Sequence, residues 1–169
     1  MKIYLAGPDV FRPDVCEWAD SVRELCRRYG FEQLLPVDHE ETAPEKIFQA
    51  NIDLIRKAQV VAANLDPFRG PEPDSGTAFE LGYALALGKR ICGYVTHLET
   101  LADRVANTNY GLQERVTEGN LLKDSRGMVV ENFGLPCNLM LSIPTNIVEG
   151  GLEACLKSLR SRPGVRHEK

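Results

Sequence analysis

In the stretch DSGTAFELGYA, Asp74 to Ala84, one residue is out of keeping with its neighbours. Glu80 is the only charged residue between Ser75 and Gly88, set among Ala78, Phe79, Leu81, Ala84, Leu85, Ala86 and Leu87. A run that apolar reads as a buried helix. Burying a lone carboxylate costs several kcal/mol unless it is paired or has a task. The residues three and four positions from Glu80 on a helix are Gly76, Thr77, Tyr83 and Ala84. Most of these are small, which leaves room for a molecule against the carboxylate. The nearby helix N-terminus favours the ionised form by up to about 1 kcal/mol. An ionised carboxylate facing a pocket suits nucleophilic attack on an acetal-like carbon. The alternative is a glutamate at a partly exposed helix edge, or one paired with Arg69 or Lys89.

Other residues could join it. Asp74 precedes Ser75-Gly76-Thr77, the place of an N-cap. It is either a plain cap or an acceptor for a ligand hydroxyl, and the two roles exclude each other only in part. Tyr4 is either a core tyrosine or a phenol that bonds and orients Glu80. Asn51 aligns at helical spacing with Ile47, Leu54 and Ala58, whereas Asp53 aligns with Gln49, Arg56 and Lys57. Asn51 is therefore expected to point inward and Asp53 toward water. An inward amide must find partners, in nearby backbone or in the site. Phe11 either stacks on a planar ring or covers the core.

The elements that must position these groups alternate. Lys2 to Ala6 reads as a strand ended by Gly7-Pro8-Asp9. Pro13 opens a helix that Gly30 stops. Glu32 to Pro36 is a second strand, Pro44 to about Ala58 a second helix, and Val60 to Leu65 a buried strand. A proline-rich loop, Asp66 to Asp74, leads into the Glu80 helix, which ends at Gly88. Arg90 to Val95 is a fourth strand. Residues 97–137 read as polar and irregular, with a short helix near Leu98 to Val105. Leu139 to Ile143 is expected as the fifth strand, Val148 to Leu159 as the last helix, and the chain from Ser161 as a loose tail.

Strand–helix alternation with short apolar strands predicts an α/β fold. The expected form is a flavodoxin-like or Rossmann-like three-layer sandwich with a five-stranded, mainly parallel sheet, all one domain over 1–160. Ligands in such folds bind at the carboxyl ends of the strands. Three segments converge there: Ala6 to Phe11, Asn64 to Gly76, and Pro136 to Met140 if it folds back. Gly7, Pro8, Phe11, Asn51, Asn64, Asp74 and Gly76 are the candidate substrate contacts on these segments and on the second helix. The phosphate-binding patterns G-x-G-x-x-G and G-x-x-x-x-G-K-[ST] are absent, as is a G-x-S-x-G elbow.

A net charge of −4 and a pI near 5.5 leave no excess of Lys and Arg to neutralise phosphates, so a nucleic-acid polymer is not the expected partner. No stretch approaches the roughly 18 apolar residues of a membrane span. Met1 to Tyr4 begins a strand directly, without a secretory leader, and a cytoplasmic protein is expected. The five cysteines lack C-x-x-C spacing; those at 16, 26 and 92 lie in apolar-periodic segments and read as reduced core residues. The histidines at 39, 97 and 167 form no cluster in sequence, so no metal is expected.

Three motifs together resemble the nucleoside 2-deoxyribosyltransferase family: KIYLAGP at Lys2 to Pro8, DSGTAFELGYA at Asp74 to Ala84, and GLPCNLML at Gly134 to Leu141. VVAANLDPF between them is also similar. The resemblance, over about Met1 to Ile143, implies a flavodoxin-like fold and a two-step exchange without a cofactor. Glu80 matches the family nucleophile, which attacks the anomeric carbon of a 2'-deoxynucleoside, releases the base and holds the sugar as an ester until a second base takes it. Tyr4 matches the tyrosine that contacts the nucleophile, and Asp74 the aspartate that binds the sugar 5'-hydroxyl. Asn138 and Met140 match positions lent by a neighbouring subunit, which implies a homo-oligomer with shared sites, usually dimers paired into larger assemblies. Partners are then 2'-deoxynucleosides and free nucleobases. One position departs. Where some members carry an aspartate that handles the proton on the base, this chain has Asn51, and an amide is no general acid; either Asn51 only orients the base, or the proton comes from Asp74, from water or from the leaving base's own tautomer.

The nearest rival on this fold is a 2'-deoxynucleoside 5'-monophosphate N-glycosidase. Asp74 and Asp9 would repel a phosphate, which favours free nucleosides. A phosphoribohydrolase with a paired-glycine P-G-G-x-G-T run is a poorer match to Pro73-Asp74-Ser75-Gly76-Thr77. A non-catalytic nucleotide-binding module is the other alternative.

Overall fold

The computed structural model of the chain describes residues 1–108, the backbone of 112–116, and residues 121–161. Five strands form one parallel sheet: β1 (Lys2–Ala6), β2 (Glu32–Leu34), β3 (Val60–Asn64), β4 (Arg90–Val95) and, last in the chain, β8 (Asn146–Glu149). They lie in the order β2-β1-β3-β4-β8. Strands covered on both faces have no polar side to show. Ile3 to Ala6 and Val60 to Ala63 are accordingly buried without a break.

Side chains alternate across the sheet. Ile3, Leu5, Val60 and Ala62 meet α1 (Val15–Arg28) and α6 (Gly151–Ser161) on one face. Tyr4, Ala6, Val61 and Ala63 form the other core with Ile55, Leu81 and Ala84, from α2 (Pro44–Lys57) and α3 (Ser75–Ala86). Gly93 lets β4 pass close to its neighbours. A Cβ there would stand 2.5 Å from Leu65 Cδ1 and 3.1 Å from Thr145 Cγ2.

The chain departs from the sequence-based expectation after β4. Leu139 to Ile143 is no strand. Asn138 caps a short helix, α5 (Leu139–Ser142), through a 3.0 Å bond from Met140 N to its Oδ1. The fifth strand is Asn146–Glu149, parallel to β4. Val148 belongs to it, so the last helix starts at Gly151. The described residues between 97 and 137 hold regular structure that their polarity did not suggest. They hold α4 (Leu101–Ala106) and a three-stranded antiparallel sheet of β5 (Leu112–Val116), β6 (Leu121–Asp124) and β7 (Val129–Val130). Cys16 is exposed and not a core residue; the other four cysteines are buried. The tail expectation for 162–169 lies outside the described residues. Among the described residues no helix is long and apolar enough to cross a membrane.

Candidate active site

β1 turns Tyr4 toward α2 and α3, and the ring is wholly buried there. On α3, Glu80 shares a face with the buried Thr77 and Ala84, three and four residues away, which swings its carboxylate over the sheet. The two meet: Tyr4 Oη donates to Glu80 Oε1 at 2.5 Å. Neither cation in reach by sequence pairs with Glu80. Lys89 Nζ donates to the carbonyls of Arg56 and Ala58, both at 2.7 Å, and Arg69 lies over the rings of Phe11 and Phe68. Glu80 Oε2 takes no hydrogen bond from the described residues, which leaves one oxygen oriented but uncommitted. Burial pushes the Glu80 carboxyl up to about 7, the Tyr4 hydroxyl opposes this, and Asp74 adds to it. Burial, then the Glu80 charge, raises the Tyr4 phenol, so it stays a proton donor to the carboxylate.

Asp74 is the N-cap of α3. Its Oδ2 accepts from Thr77 N at 2.9 Å and from Thr77 Oγ1 at 3.1 Å. Oδ1 takes no bond from the described residues, so the cap leaves one acceptor over. A Cβ on Gly76 would stand 3.0 Å from Asp74 Oδ2, so glycine keeps that carboxylate uncrowded. Gly7 serves a similar end: a Cβ there would meet Asn64 Cβ and Asp9 Oδ2, each at 2.9 Å. Asn64 Nδ2 donates to Asp9 Oδ2 at 2.9 Å, which ties the carboxyl ends of β3 and β1 together. Pro8 opens the 3-10 turn that presents Phe11. Phe11 is exposed and stacks on Phe68, with ring centroids 5.5 Å apart.

The third segment does fold back. Cys137 is packed into the core that holds Tyr4 and Leu81. Asn138 N donates to Glu72 Oε2 at 3.4 Å, two residues before Asp74. Glu131 grips the same turn with both oxygens, accepting from Asn138 Nδ2 at 2.7 Å and Leu139 N at 2.9 Å. Desolvation raises the Glu72 carboxyl; its bond from Asn138 N opposes this. Met140 points away from this cluster and is 74% exposed.

Asn51 is half-buried, at the margin of the inward face. The buried positions of α2 are Ile52 and Ile55, not the Ile47–Leu54 stripe. Its amide is not satisfied by nearby backbone: Asn51 Oδ1 lies 3.3 Å from His39 Nε2. Asp53 faces outward with Arg56 and Gln49. His39, Glu131, Glu72 and Phe68 were not singled out from sequence. Each lies in a loop or irregular segment, where periodicity says nothing about direction.

The site is thus a desolvated carboxylate, oriented by a phenol and set over a doubly wound parallel sheet. The sequence profile described as nucleoside 2-deoxyribosyltransferase matches residues 3–140, and the chain belongs to that family. It is similar over 99% of its length, and 99% of the other chain, to the structure of a 2-desoxiribosyltransferase from Leishmania mexicana, at 36% identity and a TM-score of 0.77. It is 32% identical over 155 residues to the uncharacterized protein C191.05c of Schizosaccharomyces pombe, spanning 82% of this chain and 74% of that protein. The CMP N-glycosidase BcmB of Clostridium botulinum shares the fold, with 14% identity and a TM-score of 0.52 over 96% of this chain and 100% of that one.

Proposed function

We propose that the chain transfers 2-deoxyribose between nucleobases through a covalent ester on Glu80. The observation that carries this is the Tyr4–Glu80 pair: one carboxylate oxygen is held at 2.5 Å and the other has no partner among the described residues. Oε2 attacks C1' of a 2'-deoxynucleoside and the base leaves through an oxocarbenium-like transition state. A second base then attacks the same carbon from the vacated side, with overall retention. The carboxylate stabilises that transition state by charge as well as by bonding. Desolvation, which raises Glu80 to about 7, also strips the nucleophile of water. Asp74 Oδ1 accepts the sugar 5'-hydroxyl, and the exposed Phe11 ring offers a stacking face for the base. Asn64, Gly7, Pro8 and Gly76 shape the floor. No cofactor enters the scheme. The protein acts as a homo-oligomer in which Asn138 and Met140 help complete a neighbour's site.

The test is chromatographic. Deoxyinosine, deoxyadenosine, thymidine and deoxycytidine are each mixed with a free acceptor base, beside a dGMP hydrolysis control. New nucleosides that appear only with an acceptor support exchange, and Glu80→Ala should abolish them while leaving the fold intact. Free base from dGMP without exchange would move the chain to nucleotide hydrolysis.

A further inference from the structure

We infer that His39 is the proton donor to the departing base, held for that task by Asn51. The inference rests on the exchange chemistry proposed for Glu80. A nucleobase anion is a poor leaving group, so C1'–N cleavage needs a proton on the base as the bond breaks. Glu80 is occupied as nucleophile, and Tyr4 gives its proton to Glu80. Asn51 has no proton to lend as an acid. It does have an acceptor, and His39 Nε2 lies 3.3 Å from its Oδ1. A carbonyl oxygen only accepts, so Nε2 must carry the hydrogen of that contact. This leaves Nδ1 as the nitrogen outside the Asn51 contact. Nδ1 is buried and has no hydrogen-bond partner among the described residues. A buried polar atom without a partner is rare and asks for a reason. Imidazole is also the side chain suited to proton exchange near neutrality.

The pair is placed for this role. His39 lies in the loop that leads from the carboxyl end of β2, the neighbour of β1, into α2. Asn51 lies one turn past Phe48, whose ring is 6.0 Å from that of Phe79, the residue next to Glu80. α2 packs on both α3 and β1. Of the carboxylates beside it in the loop, Asp38 is taken by Arg23 and Leu35 N, Glu41 pairs with Lys46, and Glu40 is exposed.

The step balances. Glu80 Oε2 bonds to C1', the C1'–N bond breaks, and its electron pair stays on the base. The Nδ1 proton of the His39 imidazolium passes to a base nitrogen. The neutral imidazole then takes a proton from the incoming base as that base attacks C1'. The C1'–O bond breaks and the carboxylate is restored.

A donor whose leaving group needs no proton isolates the role. 7-Methyl-2'-deoxyguanosine already carries positive charge on its base. His39→Gln should slow exchange from deoxyinosine by roughly 10²- to 10⁴-fold, the worth of a general acid, and the methylated donor by less than about tenfold. Imidazole added to His39→Gly should restore part of the deoxyinosine rate, a response that a packing role would not give. Equal losses on both donors without rescue, or no loss on either, overturns the assignment. Silence of the unaltered protein on both donors removes the Glu80 chemistry itself, and the His39 role with it.

Discussion

Glu80 carries two opposed demands, and pH separates them. As a nucleophile it must be ionised; burial holds its carboxyl near 7 against an ordinary 4.5. Below that value the folded protein keeps a proton that the unfolded chain has lost. Stability therefore falls as pH rises from about 4.5 to about 7, and stays lower above. At about 1.36 kcal/mol per pH unit, and allowing for partial exposure, the penalty is roughly 1–3 kcal/mol. Glu80→Gln should abolish exchange yet raise Tm at pH 8, by some 2–4 °C per kcal/mol, and leave Tm at pH 4.5 nearly unchanged. Thermal unfolding at the two pH values checks this; equal Tm shifts at both would mean the carboxylate is not desolvated. At this scale the sequence was legible where a polar residue broke an apolar pattern. Glu80 stood out in its helix, while Tyr4 was one of two open readings until the family resemblance paired it with Glu80. His39 did not, because a lone histidine in a loop has no pattern to break, and its partner lies twelve positions on.

Among the elements, α3 depends on its cap. Asp74 satisfies Thr77 N while offering its second oxygen outward. Asn caps about as well as Asp, and Ala does not. Asp74→Asn should keep stability within a few tenths of a kcal/mol but weaken nucleoside binding, whereas Asp74→Ala should also lose about 1 kcal/mol. Denaturant titration beside KM measurement separates the two effects. If Asp74→Asn instead improves use of 5'-monophosphates, charge repulsion at Asp74 is what excludes phosphate. The Glu131 grip on Asn138 and Leu139 is a second joint, linking the segment after β7 to α5. Glu131→Gln keeps one acceptor of two and should cost about 1–2 kcal/mol in urea unfolding, since these bonds go to a charged group. No change would show that Cys137 packing, the Glu72 contact and the Ser142 bonds hold the turn without Glu131. β1, β3 and β4 could be read because each holds a run of buried apolar residues, whereas β2, Glu32–Leu34, is short and unburied. The fifth could not: Asn146–Glu149 is an edge strand with only Ile147 and Val148 apolar, and LMLSI nearby offered a stronger run. The antiparallel strands escaped for a similar reason, being short and mixed in polarity.

At the scale of the whole molecule, several large apolar side chains stand exposed. Phe79 is 53% exposed and Ile143 72%, and Phe48, Leu85, Met128, Phe133 and Met140 are exposed as well. α3 is apolar on its outer side too, where Phe79, Gly82, Leu85 and Ala86 lie open. A helix apolar all round is expected inside a protein, and large exposed patches mark contact surfaces. The proposed association with a second copy would account for both, and would give the exposed Met140 a role in a neighbour's site. Two tests follow from the proposed sharing. Light scattering on the eluting protein should give a mass of at least a dimer. Glu80→Ala and Met140→Ala should each be weak or inactive alone, yet co-expressed chains should recover activity. In a randomly mixed dimer, half the molecules are hetero, and each has one site with an intact Glu80 from one chain and an intact Met140 from the other. About a quarter of the sites should then work. If Met140 served the site of its own chain, mixing could only average two defective proteins. Activity no higher than that average would confine each site to one chain and leave the apolar surface to packing alone.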